Sequence, residues 1–318
     1  MEGESRTTAF GKANGDTSLL ENAKSYESYF QIDKVLGGVR LLSVANKDPV
    51  HDEHLFIVIH QAFELWFKQM LFDMESIIKI FDSTPAREEK HMLTVTQRHL
   101  LKSASGFQSF QFRLLENKIG IREEDRIKHS NKSYIDMLET ESSKETLRQS
   151  AKDKTLFSVV QAWLETIDEI DSEFWQRYVK AAEKSADKAS FQGVIDKDIY
   201  ESDHEKGIRR LSHKAFKGGL RISHMRDEPG YCLPYKVLSL LTDVDGLIMK
   251  WRYDHVLMVH RMIGSKTGTG GSSGYQYLQS TVSDKYRIFI DFFNMSTFLI
   301  PRRDLEAVKD TEVLKFLK

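Results

Sequence analysis

Cysteine is almost absent from this chain. Cys232 is the only one, so no intrachain disulfide can form, and a reducing, cytoplasmic compartment fits. Proline is scarce as well, with five in 318 residues, so little interrupts long helices. No segment of useful length alternates apolar and polar residues as a half-buried strand does, and no internal repeat is found. An excess of either charge is also missing. There are 46 basic and 47 acidic residues, a net charge of −1. That balance gives no electrostatic case for nucleic acid or for an anionic membrane as partner. Long hydrophobic runs are lacking. The most apolar stretch, "LFIVIHQAFELWFKQMLF", is broken by His, Gln, Glu and Lys, so no membrane span is expected. The first 25 residues, "MEGESRTTAFGKANGDTSLLENAKS", lack the apolar core of a signal peptide and read as a disordered tail.

What remains is helical periodicity on a chain long enough to bury a core, with 40% hydrophobic residues. Residues 51–82 carry Leu55, Ile59, Ala62, Trp66, Met70, Met74 and Ile77 at spacings of three and four. Phe56, Phe63, Phe67 and Leu71 form a second apolar stripe, which places this helix deep in a bundle. A shorter helix is expected over 86–101. "GFQSFQFRLLENKIG" follows, with Gly120 as its C-cap. Residues 153–183 repeat the amphipathic pattern around Phe157, Val160, Trp163, Leu164, Ile167 and Phe174. Residues 183–206 are polar and patternless and read as a loop. A long helix is expected from about Val237 to Ile263, then a Gly-rich loop from Gly264 to Gly274. "STVSDKYRIFIDFFNMSTFLIP" starts on a Ser/Thr cap and stops at Pro301. The fold class is all-α, a multi-helix bundle.

Three constellations bear on chemistry. "YDHVLMVHRMIGSKTGTGGSSGY" sets His255 and His260 five residues apart, about 140° apart around a helix, so both cannot bind one metal from that helix. Each is either a hydrogen-bonded core histidine or an axial haem ligand. The glycine-rich segment lacks the Gly-Lys-Ser/Thr ending and the preceding strand of a phosphate loop. It is a connector, or a lid whose N–H groups and hydroxyls meet an anionic ligand end. His60 sits among Phe56, Phe63 and Phe67, either as a core histidine or as the polar contact of a pocket for a flat apolar ligand. "HDEH" at 51–54 offers a His-x-Glu pair for non-haem iron, or simply acidic residues at a positive helix end.

"HDEHLFIVIHQAFELWFKQMLFDMESI", "SASGFQSFQFRLLENKIG", "SYESYFQIDKVL" and "KWRYDHVLMVHRMIGSKTGTGGSSGYQYLQSTVSDKYRIFIDFFNMSTFLIPR" together resemble the tryptophan 2,3-dioxygenase family. The resemblance spans roughly residues 25–120, 153–180 and 205–302. It implies a helical domain over 26–318 that encloses haem b and acts as a homotetramer. The implied reaction adds both atoms of O₂ to the indole of L-tryptophan, giving N-formylkynurenine, the first step of the kynurenine route. By the same resemblance His255 is the proximal iron ligand and His60 the distal base that accepts the indole N–H. Phe56 and Leu101 are walls of the substrate pocket. Ser105 and Gly106 are the small residues over the distal haem face. Arg113 lies near the haem propionates, and Thr269 meets the amino-acid end. Tyr26 and Tyr29 reach into the neighbouring subunit's site. Asp254 stands where the family commonly has Asn.

The chain departs from that pattern in two places. In the family a segment about two helices long separates the counterparts of "EEKHMLTVTQR" and "LKSASGFQS"; here only His99 and Leu100 do. The missing piece carries the arginine that clamps the substrate carboxylate, and Arg113 aligns with a different arginine. A second shortening falls near 183–206. A catalytically impaired haem-binding or subunit-interacting form is therefore the alternative reading.

Overall fold

The structure is a computed structural model. It describes residues 26–83, 109–127, 133–135, 138, 140–169, 173–185, 188–265, 274–301 and 304. Among the described residues there is no strand, as the sequence leads one to expect. No helix among them is long and apolar enough to cross a membrane. The chain falls into two compact units, Met1–Ala62 and Phe63–Lys318.

In the first unit, helices α1 (Tyr26–Phe30), α2 (Ile32–Leu36) and α3 (Leu42–Ala45) precede the start of α4 (His51–Ser83). The Glu53 carboxylate accepts from the backbone N–H groups of Leu42 and Ser43, both at 3.0 Å, and from the Ser43 hydroxyl. These N–H groups open α3 and have no partner within it. "HDEH" places Asp52 and Glu53 in the first turn of α4, the acidic helix start that the sequence offers. Its glutamate caps a different helix, and the Ser43 hydroxyl bond holds the carboxyl below its ordinary pKa.

In the second unit the rest of α4 buries Phe63, Phe67, Leu71, Met74, Ile78 and Phe81. Phe63, Phe67 and Leu71 belong to the second of the two apolar stripes and Met74 to the first. The first stripe is not buried along its length: Leu55 is 62% exposed and Trp66 41%, and Phe72 outside it is 64% exposed. The expectation of a helix buried on both sides is therefore corrected. Helix α5 (Phe110–Ile119) starts on Ser109, whose hydroxyl accepts from Phe112 N–H at 3.1 Å. It stops at Gly120, which takes φ 113°, ψ 27° and donates to the Glu116 carbonyl. Any Cβ at Gly120 would meet Phe157 Cβ at 2.7 Å, so both the conformation and the packing demand glycine there.

Helices α6 (Glu141–Ser150), α7 (Leu156–Glu169) and α8 (Phe174–Glu183) follow. Thr155 and Ser158 cap the start of α7 reciprocally, each hydroxyl accepting the other's N–H at 3.0 Å. The segment 183–206, read as a loop, forms α9 (Lys188–Ile195) and α10 (Lys197–Glu205). Phe191, Val194 and Tyr200 are their buried residues, too few to register as a period, and Asp196 caps α10 through Asp198 and Ile199 N–H.

Helix α11 (His213–His224) lies directly on α7. A Cβ at Gly218 would sit 2.0 Å from the Leu164 carbonyl oxygen, so the two backbones touch. Helix α12 (Cys232–Ile263) starts about five residues before the expected position, with Pro234 in its first turn, where a missing N–H costs nothing. Helix α13 (Gly274–Ser280) follows. The segment expected as one helix ending at Pro301 is broken into a 3-10 turn at Asp284–Tyr286, α14 (Ile290–Asn294) and a 3-10 turn at Met295–Phe298. One buried carboxylate takes up backbone of this segment, and another on the segment holds the chain just before α11. Asp245 accepts from Ile288 N–H at 2.9 Å, and Asp291 on α14 accepts from Arg210 and Leu211 N–H at 2.7 Å.

Candidate functional site

Helix α12 buries one of the two histidines and exposes the other. Trp251, Arg252 and His255 share its inward face at spacings of three and four residues, and all are buried, His255 to 3% exposure. The His255 ring stacks over Trp251, with centroids 5.8 Å apart. His260 and Asp254 lie on the exposed side. His260 stacks instead on Tyr275, at 4.0 Å.

His255, Trp251 and Arg252 wall a small cavity of about 20 Å³ with Phe112 and Arg113 of α5 and with Tyr277, Leu278 and Thr281. Arg113, the second residue assigned here by resemblance, is thereby brought into the same wall as His255. Behind it lies a buried ion cluster. Glu116 accepts from Arg113 Nη1 at 2.6 Å and from Arg252 Nη2 at 2.7 Å, at 2% exposure. Burial by itself raises the Glu116 pKa, but the Arg113 and Arg252 guanidiniums outweigh it and hold the carboxyl at about 2. Burial disfavours charge on Arg113 too. Glu116 and the hydrogen-bonded Tyr277 hydroxyl more than offset that, and its pKa is raised. Tyr277 belongs to α13, directly after the Gly-rich loop, so Arg113 ties that helix to α5 and, through Glu116, to α12. The indole Nε1 of Trp251 and Nε of Arg252 are buried with no hydrogen-bond partner among the described residues.

In the first unit, Phe56 and His60 form a second local arrangement. His60 Nδ1 lies 2.6 Å from the Phe56 carbonyl oxygen, and the two rings are 4.0 Å apart. A carbonyl only accepts, so Nδ1 carries a proton, and Nε2 is the nitrogen left to face a partner. Phe56 is 59% exposed, and Tyr26 and Tyr29 on α1 are 72% and 62% exposed. Leu101, Ser105, Gly106 and Thr269 lie outside the described residues.

Trp251, Arg252, Glu116 and Tyr277 were not singled out from the sequence. Trp251 and Arg252 were within reach, because the helical period sets them on the face of His255. Glu116 was not, since only the tertiary fold brings α5 against α12. A larger, more open cleft of about 250 Å³ runs along α12 from Tyr235 to Asp243. It is not the candidate site. Its near end is 12 residues, about 18 Å along the axis, from His255, and its Ser239 and Thr242 hydroxyls donate to backbone carbonyls of their own helix. Among the described residues no group of three or more His, Cys, Asp or Glu is placed to hold a metal.

The tryptophan 2,3-dioxygenase family model matches residues 12–99, 94–189 and 181–299. This chain belongs to the tryptophan 2,3-dioxygenase family. The tryptophan 2,3-dioxygenase of Xenopus tropicalis is 42% identical over 335 residues, covering 87% of this chain and 82% of the relative. That of Xenopus laevis matches to the same extent, and that of Anopheles gambiae is 40% identical over 340 residues, covering 88% and 86%. The three pieces of the family match meet at 94–99 and 181–189, next to the two places where the chain departs from the family pattern.

Proposed function

We propose that this chain is a haem-dependent dioxygenase. It adds both atoms of O₂ across the indole C2–C3 bond of L-tryptophan, giving N-formylkynurenine as the first step of tryptophan catabolism by the kynurenine route. The observation that carries this reading is His255: a buried imidazole on an aromatic wall, at the position the family pattern assigns to iron. The site's chemistry suits haem b. Axial ligation takes one imidazole in an apolar slot, and the Arg113 and Arg252 side chains beside it suit the acidic edge of the macrocycle. Haem b supplies the redox-active iron that O₂ needs to react with closed-shell indole.

The protein's own residues do the rest. Phe56 offers a flat apolar wall for indole. His60, its proton held on Nδ1 by the Phe56 carbonyl, offers Nε2 to the indole N–H. By the family pattern Leu101 completes that wall, Ser105 and Gly106 keep the distal haem face free of bulk, and Thr269 meets the ammonium and carboxylate end. Tyr26 and Tyr29, exposed in the single chain, suit a homotetramer in which they complete a neighbour's site. The chain works in the cytoplasm.

The test compares His255→Ala with His260→Ala. The first is expected to abolish haem retention, and the second to leave the Soret band in place. A retained Soret band in His255→Ala sinks the ligand assignment. The alternative, a haem-binding form with impaired catalysis, is favoured by one observation: the family match breaks at 94–99, beside the point where the carboxylate-clamping segment is absent. Titrating the ferrous protein with L-tryptophan separates the two readings. The absence of both a spectral response and product absorbance supports the impaired form.

A further inference from the structure

The cavity beside His255 is walled by buried charge. Two buried guanidiniums, Arg113 and Arg252, face one buried carboxylate, Glu116. Two buried donors in the same wall, Arg252 Nε and Trp251 Nε1, have no hydrogen-bond partner among the described residues. Buried donors almost always find an acceptor, and an unmet one on a cation is the most costly kind. The cavity of about 20 Å³ admits one oxygen-sized group, such as the edge of a planar carboxylate.

We propose that Arg252 and Trp251 form a carboxylate-binding pair in the His255 cavity, with Glu116 as the residue that positions Arg252. Arg252 spends Nη2 on Glu116 Oε1 at 2.7 Å, which fixes its planar fork. The fork packs on the Tyr286 ring, 4.4 Å from the centroid, so it has little freedom to swing away. A guanidinium locked in this way reads a carboxylate with small loss of side-chain freedom. The carboxylate has two possible sources. One is an acidic side chain of haem, which rests on the function proposed above; the other is a small free carboxylate.

The test uses the full-length chain loaded with haem or with haem dimethyl ester, in which both acidic groups are neutralised. Transfer to excess apomyoglobin reads the dissociation rate. Arg252→Met is expected to speed haem loss by about 10- to 100-fold, as deletion of a charge-assisted hydrogen bond does, while ester loss keeps its wild-type rate. Arg252→Lys should recover part of the effect. Glu116→Gln should show the same preference for haem over ester, at smaller size, since it frees Arg252 without removing it. It also serves if Arg252→Met fails to fold. In a second arm the chain as purified, without added haem, is melted with and without formate. A rise in Tm in wild type that Arg252→Met abolishes assigns the site to a free carboxylate and supports the proposal. Equal acceleration for haem and ester, with no formate effect, overturns it, because Arg252 then acts on the fold alone. If the wild type takes up no haem, the proposed function fails, and the formate arm still decides this inference: a rise in Tm supports it and no rise overturns it.

Discussion

Glu116 is the residue on which the second unit's buried electrostatics turn. It is 2% exposed and holds Arg113 at 2.6 Å and Arg252 at 2.7 Å. Glu116→Ala removes the shared anion and strands two buried cations. Breaking a buried pair from one side costs about 3–5 kcal/mol, because the orphaned charge keeps its desolvation penalty. For a unit of this size that is a fall in Tm of roughly 6–20 °C. Glu116→Gln keeps the shape and some hydrogen bonding and should lose less. The pH dependence has a definite sign. The folded carboxyl sits at about 2, against an ordinary value of 4.5, so its contribution is fully present above 4.5 and is lost as pH falls toward 2. Urea titrations followed by circular dichroism at stepped pH values give both quantities. If Glu116→Ala costs less than about 1 kcal/mol, the carboxylate is not the shared counter-ion described here. A wild-type pH slope between 4.5 and 2 that survives in Glu116→Gln refutes the same reasoning.

Two further outcomes follow from the packing of α11. His224 is buried, holds Nδ1 against the Leu220 carbonyl at 2.8 Å and accepts Ile300 N–H on Nε2 at 3.0 Å. Burial, more than any neighbour, pulls its pKa down from 6.5 to about 4. Stability from the neutral ring is thus complete above 6.5 and lost as pH falls through about 4, on the order of 3 kcal/mol in all. Stepped-pH urea titrations should find that loss in wild type and not in His224→Gln; equal slopes contradict it. Gly218→Ala should destabilise by about 1–3 kcal/mol or more, since its Cβ would meet the Leu164 carbonyl oxygen at 2.0 Å and force α7 and α11 apart. An unchanged Tm in that variant would mean that the helices do not meet there.

Legibility in the sequence followed the range of the interaction. Helices with dense apolar periods, such as 51–83 and 156–169, were readable because burial repeats every three or four residues. Helices α9 and α10 were not. Three buried residues in 188–205 are too few for a period, and their helicity depends on what Phe191, Val194 and Tyr200 pack against. The stretch before Pro301 misled for the opposite reason. It is rich in apolar residues, but Asp245 takes the Ile288 N–H and Asp291 turns inward to hold the backbone of Arg210, contacts that one continuous helix would not make. On α4 both stripes are apolar, and composition could not say which one faces the second unit's core.

The site divides in the same way. Helical spacing alone determined that His255 and His260 face different directions, and the local sequence around Gly120 determined where α5 ends. Those are properties of a few consecutive residues. Which histidine is buried, where Arg113 points, and that Glu116 serves Arg113 and Arg252 at once were decided only by α5 packing against α12. A charge network closed between residues 116 and 252 leaves no trace in either segment on its own.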